Sequence, residues 1–178
     1  ILKVFGQTIY NLRYSILTII FIVVSAKLMT YAGMISIIAN GIVLATGKFY
    51  PFFAPFIGAF GAFITGSATN CNVLFGPLQS AVAGKLSSDM NFTYWLVASN
   101  AGSGGIGKMV SPQSIAIAIA AITPAIAAYA KQKQISKDIE DNLYNSITPS
   151  SIMSSSYLYM FLFLTIYAVI TYFGSLLL

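Results

Sequence analysis

Two strongly apolar stretches of this chain are each broken by a short polar, glycine-bearing segment: Gly66–Asn72 (GSATNCN) and Asn100–Ser114 (NAGSGGIGKMVSPQS). In lipid every backbone N–H and C=O needs a partner, so irregular backbone persists only inside protein or beside a wet cavity. The surroundings are unmistakably apolar. Hydrophobic residues make up 57% of the chain and charged residues 7%, against about 25% charged in an average soluble domain. So few charges cannot cover a soluble surface of this size. Period-two alternation is missing, which argues against an outer-membrane barrel. The expected class is an all-α polytopic membrane protein, multi-pass in the cell membrane.

The small positive charge of +5 is scattered along the chain. It forms no basic patch with interleaved aromatics, so it reads as topology information and not as a nucleic-acid footprint. With one cysteine, Cys71, and no histidine, an internal disulfide and a His-based metal or acid–base site are excluded. No metal and no cofactor is expected. The chain opens at Ile1 without a signal-peptide pattern, and the expectation is the C-terminal part of a longer protein whose N-terminal part supplies the rest.

Residues 14–44 form a run long enough to span the ~30 Å hydrocarbon core with tilt, with Lys27 in its middle. Residues 151–178 form a second spanning helix, with Tyr157, Tyr159 and Tyr172 suited to interfacial anchoring. Between them, 51–64 and 73–84 flank the first polar segment. At about 18–21 Å each they are too short to cross alone. They form either one broken span or a re-entrant hairpin over 51–84, while 92–130 reads as a broken transmembrane helix and 131–150 as a polar loop. Charge favours the hairpin. A re-entrant 51–84 places Lys3, Arg13, Lys131, Lys133 and Lys137 on one side against Lys48 and Lys85. A spanning 51–84 divides the same residues three against four, which breaks the cytoplasmic bias of Lys and Arg.

The first segment and its entry residue offer hydroxyls at Thr65, Ser67 and Thr69 and amides at Asn70 and Asn72, with Gly66 at the bend. A second helix beginning near Val73 would present free N–H groups and the positive end of its dipole to an anion. The bland alternative is a tight polar turn at the membrane surface. The second segment adds Asn100, Gly104, Gly105 and a cation, Lys108, followed by Ser111, Gln113 and Ser114. Ser111 suits an N-cap and Pro112 a first helical position. A charge at membrane depth is by default a functional-site hypothesis; the alternative is a lysine that snorkels to the interface. Together these residues suit a small carboxylate. Lys27 is a further candidate for a substrate or coupling cation, or for a buried structural pair.

Residues Gly102–Gly107 also read G-x-G-x-x-G, and Gly102–Lys108 read G-x-x-x-x-G-K. A P-loop then requires Ser or Thr for magnesium where this chain has Met109, and no strand precedes it. Both nucleotide readings are rejected. The sequon Asn91-Phe92-Thr93 carries little weight. The four carboxylates, Asp89, Asp138, Glu140 and Asp141, fall in expected loops, so none is placed at membrane depth.

Phe63-Ile-Thr-Gly-Ser-Ala-Thr-Asn-Cys-Asn-Val-Leu-Phe-Gly76 with Leu78-Gln79, and Gly104-Gly-Ile-Gly-Lys-Met-Val-Ser-Pro-Gln-Ser-Ile-Ala116, resemble the lactate permease family. The second stretch is similar to that family's G-G-V-x-G-K-M-I-S-P-Q-S-I-A signature. The likeness runs from about Thr18 to Ile122. It departs at Ala68, where many members carry Asp, and at Lys27, where an uncharged aromatic residue is expected. The resemblance implies transport of L-lactate or glycolate and an ion-transporter-like half with a re-entrant hairpin and a broken helix. It implies no enzymatic activity.

The leading expectation is proton-coupled uptake of a short 2-hydroxy monocarboxylate; sodium-coupled symport of another small organic anion is the alternative. An intramembrane enzyme would need an acid–base pair or metal ligands at membrane depth, and a structural subunit would bind no lactate. Expected partners are the carboxylate substrate, a coupling proton or sodium ion, the bilayer, the N-terminal remainder of the protein, and a second copy in a homodimer. Single cysteines at Lys48 and Ser88 should label from the same side of the membrane. Labelling from opposite sides excludes the re-entrant reading.

Overall fold

A computed structural model describes residues 2–133, 139, 142 and 146–178. The helices are α1 (Leu2–Tyr31), α2 (Met34–Thr46), α3 (Tyr50–Thr65), α4 (Ala68–Leu86), α5 (Met90–Lys108), α6 (Pro112–Lys133) and α7 (Pro149–Ser175), with a 3-10 turn at Gly47–Phe49 between α2 and α3. No strand is present among the described residues. Among the described residues, three stretches are long and apolar enough to cross a membrane: Met34–Thr65, Pro112–Lys133 and Pro149–Ser175. The protein is therefore an all-α polytopic membrane protein. α4 and α5 have 19 residues each but carry the polar side chains Asn70, Asn72, Gln79, Ser99, Asn100 and Ser103.

Helix ends follow local chemistry. Gly33, Gly47 and Gly66 hold positive φ (72°, 51° and 64°) and separate α1 from α2, α2 from the 3-10 turn, and α3 from α4. Pro51, Pro112 and Pro149 lie in first turns, where their missing N–H costs nothing. Thr148 and Ser151 form a reciprocal capping box at the start of α7.

Helix boundaries differ from the sequence reading in four places. The run 14–44 is not one helix, because Gly33 in the left-handed region parts α1 from α2. In the first polar segment only Gly66 and Ser67 leave the helix; α4 begins at Ala68, not near Val73. The serine cap secures the first turn and draws Thr69, Asn70 and Asn72 into it. In the second segment α5 runs unbroken through Asn100–Lys108 despite four glycines, and the break is confined to Met109–Ser111. Glycine in an isolated helix costs up to about 1 kcal/mol relative to alanine, but here packing offsets it. Of the loop expected over 131–150, Lys131–Lys133 belong to α6, Pro149 begins α7, and 134–138, 140–141 and 143–145 lie outside the described residues, with Asp138, Glu140 and Asp141 among them. Asp89 caps α5, its Oδ1 accepting from Asn91 N at 2.8 Å.

α3 and α4 form an antiparallel pair: Cys71 Sγ donates to Gly58 O at 3.1 Å and Gln79 Nε2 to Ala54 O at 3.2 Å. α5 closes on this pair through small residues. A Cβ at Gly58 would fall 2.7 Å from the Asn100 carbonyl oxygen, and one at Gly107 would collide with the Ala59 backbone. Close backbone approach through small residues is the usual route to helix association in lipid, where no hydrophobic gain separates helix from solvent. On its other side α5 meets α7: Gly102 admits the Tyr167 ring, Gly174 admits Trp95, and Trp95 Nε1 donates to Thr171 O at 2.9 Å. The G-x-G-x-x-G pattern is thus a packing surface. A core of Ile35, Ala39, Tyr50, Ala54, Leu78, Val82, Ala83, Phe92 and Leu96 joins α2, α3, α4 and α5. α7 leaves Phe161, Leu162, Phe163, Ile166 and Ile170 exposed, as a lipid-facing helix does.

Gly107→Ala should destabilise the protein by about 1–3 kcal/mol, the cost of overpacking. Gly105→Ala, with nothing within 4 Å of its added Cβ, should be neutral or slightly stabilising. Thermal unfolding in detergent distinguishes the two; equal stability of both variants contradicts the packing role.

Candidate functional site

The two interruptions meet. Gly66 ends α3 in the left-handed conformation, and the Gln113 side chain lies directly against it; an added Cβ at Gly66 would sit 2.9 Å from Gln113 Cβ. Both the positive φ and this contact demand glycine. Ser67 is extended, and its Oγ accepts from Asn70 N at 3.3 Å. Thr65 Oγ1 donates to Gly61 O at 2.8 Å and accepts from Ser67 N at 3.3 Å. Across the contact, buried Ser111 caps α6: its Oγ accepts from Ser114 N at 3.3 Å and donates to Ser114 Oγ at 3.0 Å.

These caps leave donors free. The Ala68, Thr69 and Gln113 backbone N–H groups have no hydrogen-bond partner among the described residues. They belong to the first turns of α4 and α6, whose N-terminal ends carry partial positive charge. Lys108 is exposed at the end of α5, and its carbonyl accepts from Ser111 N at 3.1 Å. Two helix N-termini brought together, with a lysine three residues before one of the caps, could offer a positively polarised place to a small anion.

Beneath the turns runs a polar chain that links three helices. Asn100 Nδ2 donates to Asn72 Oδ1 at 2.8 Å and approaches Cys71 Sγ at 3.8 Å. Gln79 Nε2 donates to Asn100 Oδ1 at 3.3 Å, and Tyr50 OH donates to Gln79 Oε1 at 2.6 Å. Tyr50, Gln79 and Asn100 are fully buried. Burying such groups costs little only when each is hydrogen-bonded, and no buried side-chain nitrogen or oxygen among the described residues lacks a partner.

The structure therefore gathers Thr65, Gly66, Ser67 and Gln113 at one contact, pairs Asn72 with Asn100, and joins Ser111 to Ser114. Thr69 is exposed and Asn70 half-buried in the first turn of α4. Gly104 is buried, with room for a Cβ at 3.6 Å from Ala68 and 3.7 Å from Ala62, whereas Gly105 is exposed with open space beside it. Lys27 is exposed on α1, a helix packed on α2 and α4. Sequence reasoning passed over Tyr50 and Gln79 as functional residues. The signal was available for Gln79: a lone amide seven residues after Asn72, hence on the same helical face.

No group of three or more His, Cys, Asp or Glu that could hold a metal occurs among the described residues. A cavity of about 630 Å³ lies between α2, α3 and α7, lined by Ile42, Phe53, Phe60, Met160, Phe161 and Leu164 among others. Its walls are largely apolar and carry no charged side chain, so it offers little to select a carboxylate.

Comparison with known proteins identifies the family. The family described as L-lactate permease matches residues 1–173. Glycolate permease GlcA of Escherichia coli (strain K12) is 45% identical over 119 residues, covering 66% of this chain and 20% of that protein. The L-lactate permease of Streptococcus iniae is 46% identical over 96 residues, covering 54% of this chain and 20% of that protein. That of Bacillus subtilis (strain 168) is 42% identical over 119 residues, covering 67% and 20%. The chain thus spans about a fifth of the length of these curated relatives. No solved structure matches it. By the match across nearly its whole length, the chain belongs to the L-lactate permease family.

Proposed function

We propose that the protein containing this chain is a secondary transporter that carries L-lactate, glycolate or a similar short 2-hydroxy monocarboxylate across the cell membrane, coupled to protons. One observation carries the reading: the N-terminal turns of α4 and α6 touch at Gly66 and Gln113 and leave three backbone N–H groups free for an anion. The names of the relatives, glycolate permease and L-lactate permease, support the substrate class.

In this account the carboxylate lies against the Ala68, Thr69 and Gln113 N–H groups, with Lys108 supplying the balancing charge. Ser67, Thr69, Asn70 and Asn72 address the 2-hydroxyl and the carboxylate from the α4 side, and the open space beside Gly105 leaves room for the substrate's short carbon chain. Thr65, Ser111 and Ser114 hold the two turns in shape, and Asn100 acts from beneath. The α3–α4 pair serves as the re-entrant hairpin and α5–α6 as the broken transmembrane helix, moving relative to the other helices during alternating access. The N-terminal remainder of the protein completes the enclosure, and a homodimer is compatible with it. Lys27, far along α1 from the turn residues in sequence, is left as a contact for that remainder.

Sodium coupling is the competing reading, supported by the hydroxyl and carbonyl oxygens gathered at Thr65 and Ser67. In proteoliposomes of the complete protein, a proton gradient alone should drive lactate uptake; uptake that requires a sodium gradient favours the competitor. Lys108→Ala should lower lactate uptake about tenfold or more, the value of a charge-assisted hydrogen bond, with an unchanged amount of protein in the membrane. Normal uptake refutes the assigned role.

A further inference from the structure

The polar chain beneath the turns has a direction, and that direction has a consequence for recognition. An amide side chain can be turned end for end, exchanging donor for acceptor, and its orientation follows from its partners. The Ala54 carbonyl oxygen can only accept, and it lies 3.2 Å from Gln79 Nε2. This contact fixes the Gln79 amide: its nitrogen faces Ala54 O and Asn100, and its oxygen faces the Tyr50 hydroxyl at 2.6 Å. Asn100 must then turn its oxygen to Gln79, at 3.3 Å, and its nitrogen to Asn72, at 2.8 Å. Asn72 in turn must offer its oxygen inward. Its Nδ2 has no partner among the described residues. Since no buried side-chain nitrogen or oxygen among the described residues lacks a partner, this amide nitrogen is open to its surroundings, one turn into α4 from the Ser67 cap.

We infer that Gln79, held by the Ala54 carbonyl, is a positioning residue that acts through Asn100 to make Asn72 present a hydrogen-bond donor to the substrate, so that the site selects acceptor oxygens such as those of a carboxylate. Asn100 has both ends of its amide engaged and is buried, so it also acts by positioning and not by touching the substrate. The inference rests on the transport reading above and adds a specificity device to it. The polarity is set deep in the core, where water cannot reverse it, and is delivered to the half-buried residue at the end of the chain. Turning Asn72 around would set its nitrogen against Asn100 Nδ2, donor against donor. That leaves the buried Asn100 Nδ2 with the long 3.8 Å contact to Cys71 Sγ in place of its 2.8 Å hydrogen bond, a cost that an isolated surface asparagine does not face.

The test is a double-mutant cycle on the complete protein in proteoliposomes, reading KM and kcat for radiolabelled lactate. Asn72→Asp keeps the acceptor that Asn100 needs and removes the outward donor; it should raise KM about tenfold or more with kcat little changed. Gln79→Met removes the polarity anchor at similar volume and should raise KM in the same way. Because Gln79 acts only through Asn72, the double variant should be no worse than Asn72→Asp alone. Additive effects would show that Gln79 merely supports the fold, and an unchanged KM in Asn72→Asp would remove the donor itself; either overturns the inference. If Gln79→Met does not reach the membrane, Asn100→Leu cuts the same chain one link later and takes its place in the cycle. Competition by lactamide, whose amide nitrogen supplies donors where the lactate carboxylate only accepts, gives a second readout: it should be weak in the wild type and relatively stronger in Asn72→Asp, and an unaltered lactate-to-lactamide preference contradicts the proposal. Wild-type protein that takes up no lactate at all would instead bring down the transport reading, and this inference with it.

Discussion

The approach of α5 to α3 at backbone distance is the constraint on which the rest of this structure depends. Gly58 and Gly107 remove the Cβ atoms that would hold the two helices apart. At that separation Asn100 reaches both Gln79 and Asn72 on α4. With ordinary side chains at the contact, the three helices would part and the buried amides would lose their partners. In lipid such a loss has no remedy from water. Close packing and polar satisfaction are therefore one requirement, met by the same few residues.

The same geometry explains how polar turns are tolerated in so apolar a chain. Each turn is short because a serine satisfies the helix that follows it, Ser67 for α4 and Ser111 for α6. What remains unsatisfied is small in number, similar in sign and close together. On the proposed reading, the partial positive charge of two helix N-termini, with Lys108 three residues before the Ser111 cap, stands in for a dense cluster of basic residues. The largely apolar cavity between α2, α3 and α7 borders this chemistry through Tyr50 of the polar chain and Val110 of the second break.

Much of this was legible in the sequence. Low charge and long apolar runs set the membrane class, and the positions of Gly66, Ser111 and Pro112 marked the two breaks. The extent of the breaks was not legible. Glycine-rich Asn100–Lys108 looked like unwound chain, because local propensity cannot register the neighbours that Gly102, Gly104 and Gly107 admit. The run 14–44 looked continuous, because Gly33 lies in apolar surroundings and only its backbone angle, a tertiary outcome, reveals a bend. Within the site, Asn72 and Asn100 stood out as amides in apolar helices. That they meet, and that Tyr50 and Gln79 complete the chain, depends on how α3, α4 and α5 pack. Pairings between separate helices leave no local trace in a single sequence.

The central claim is that the first turns of α4 and α6 jointly hold a small anion. The most direct measurement is an experimental structure of the complete protein with lactate bound. The carboxylate should lie within hydrogen-bond distance of the Thr69 and Gln113 backbone N–H groups, beside Lys108. A carboxylate bound elsewhere, with these N–H groups turned to other protein groups, would contradict it.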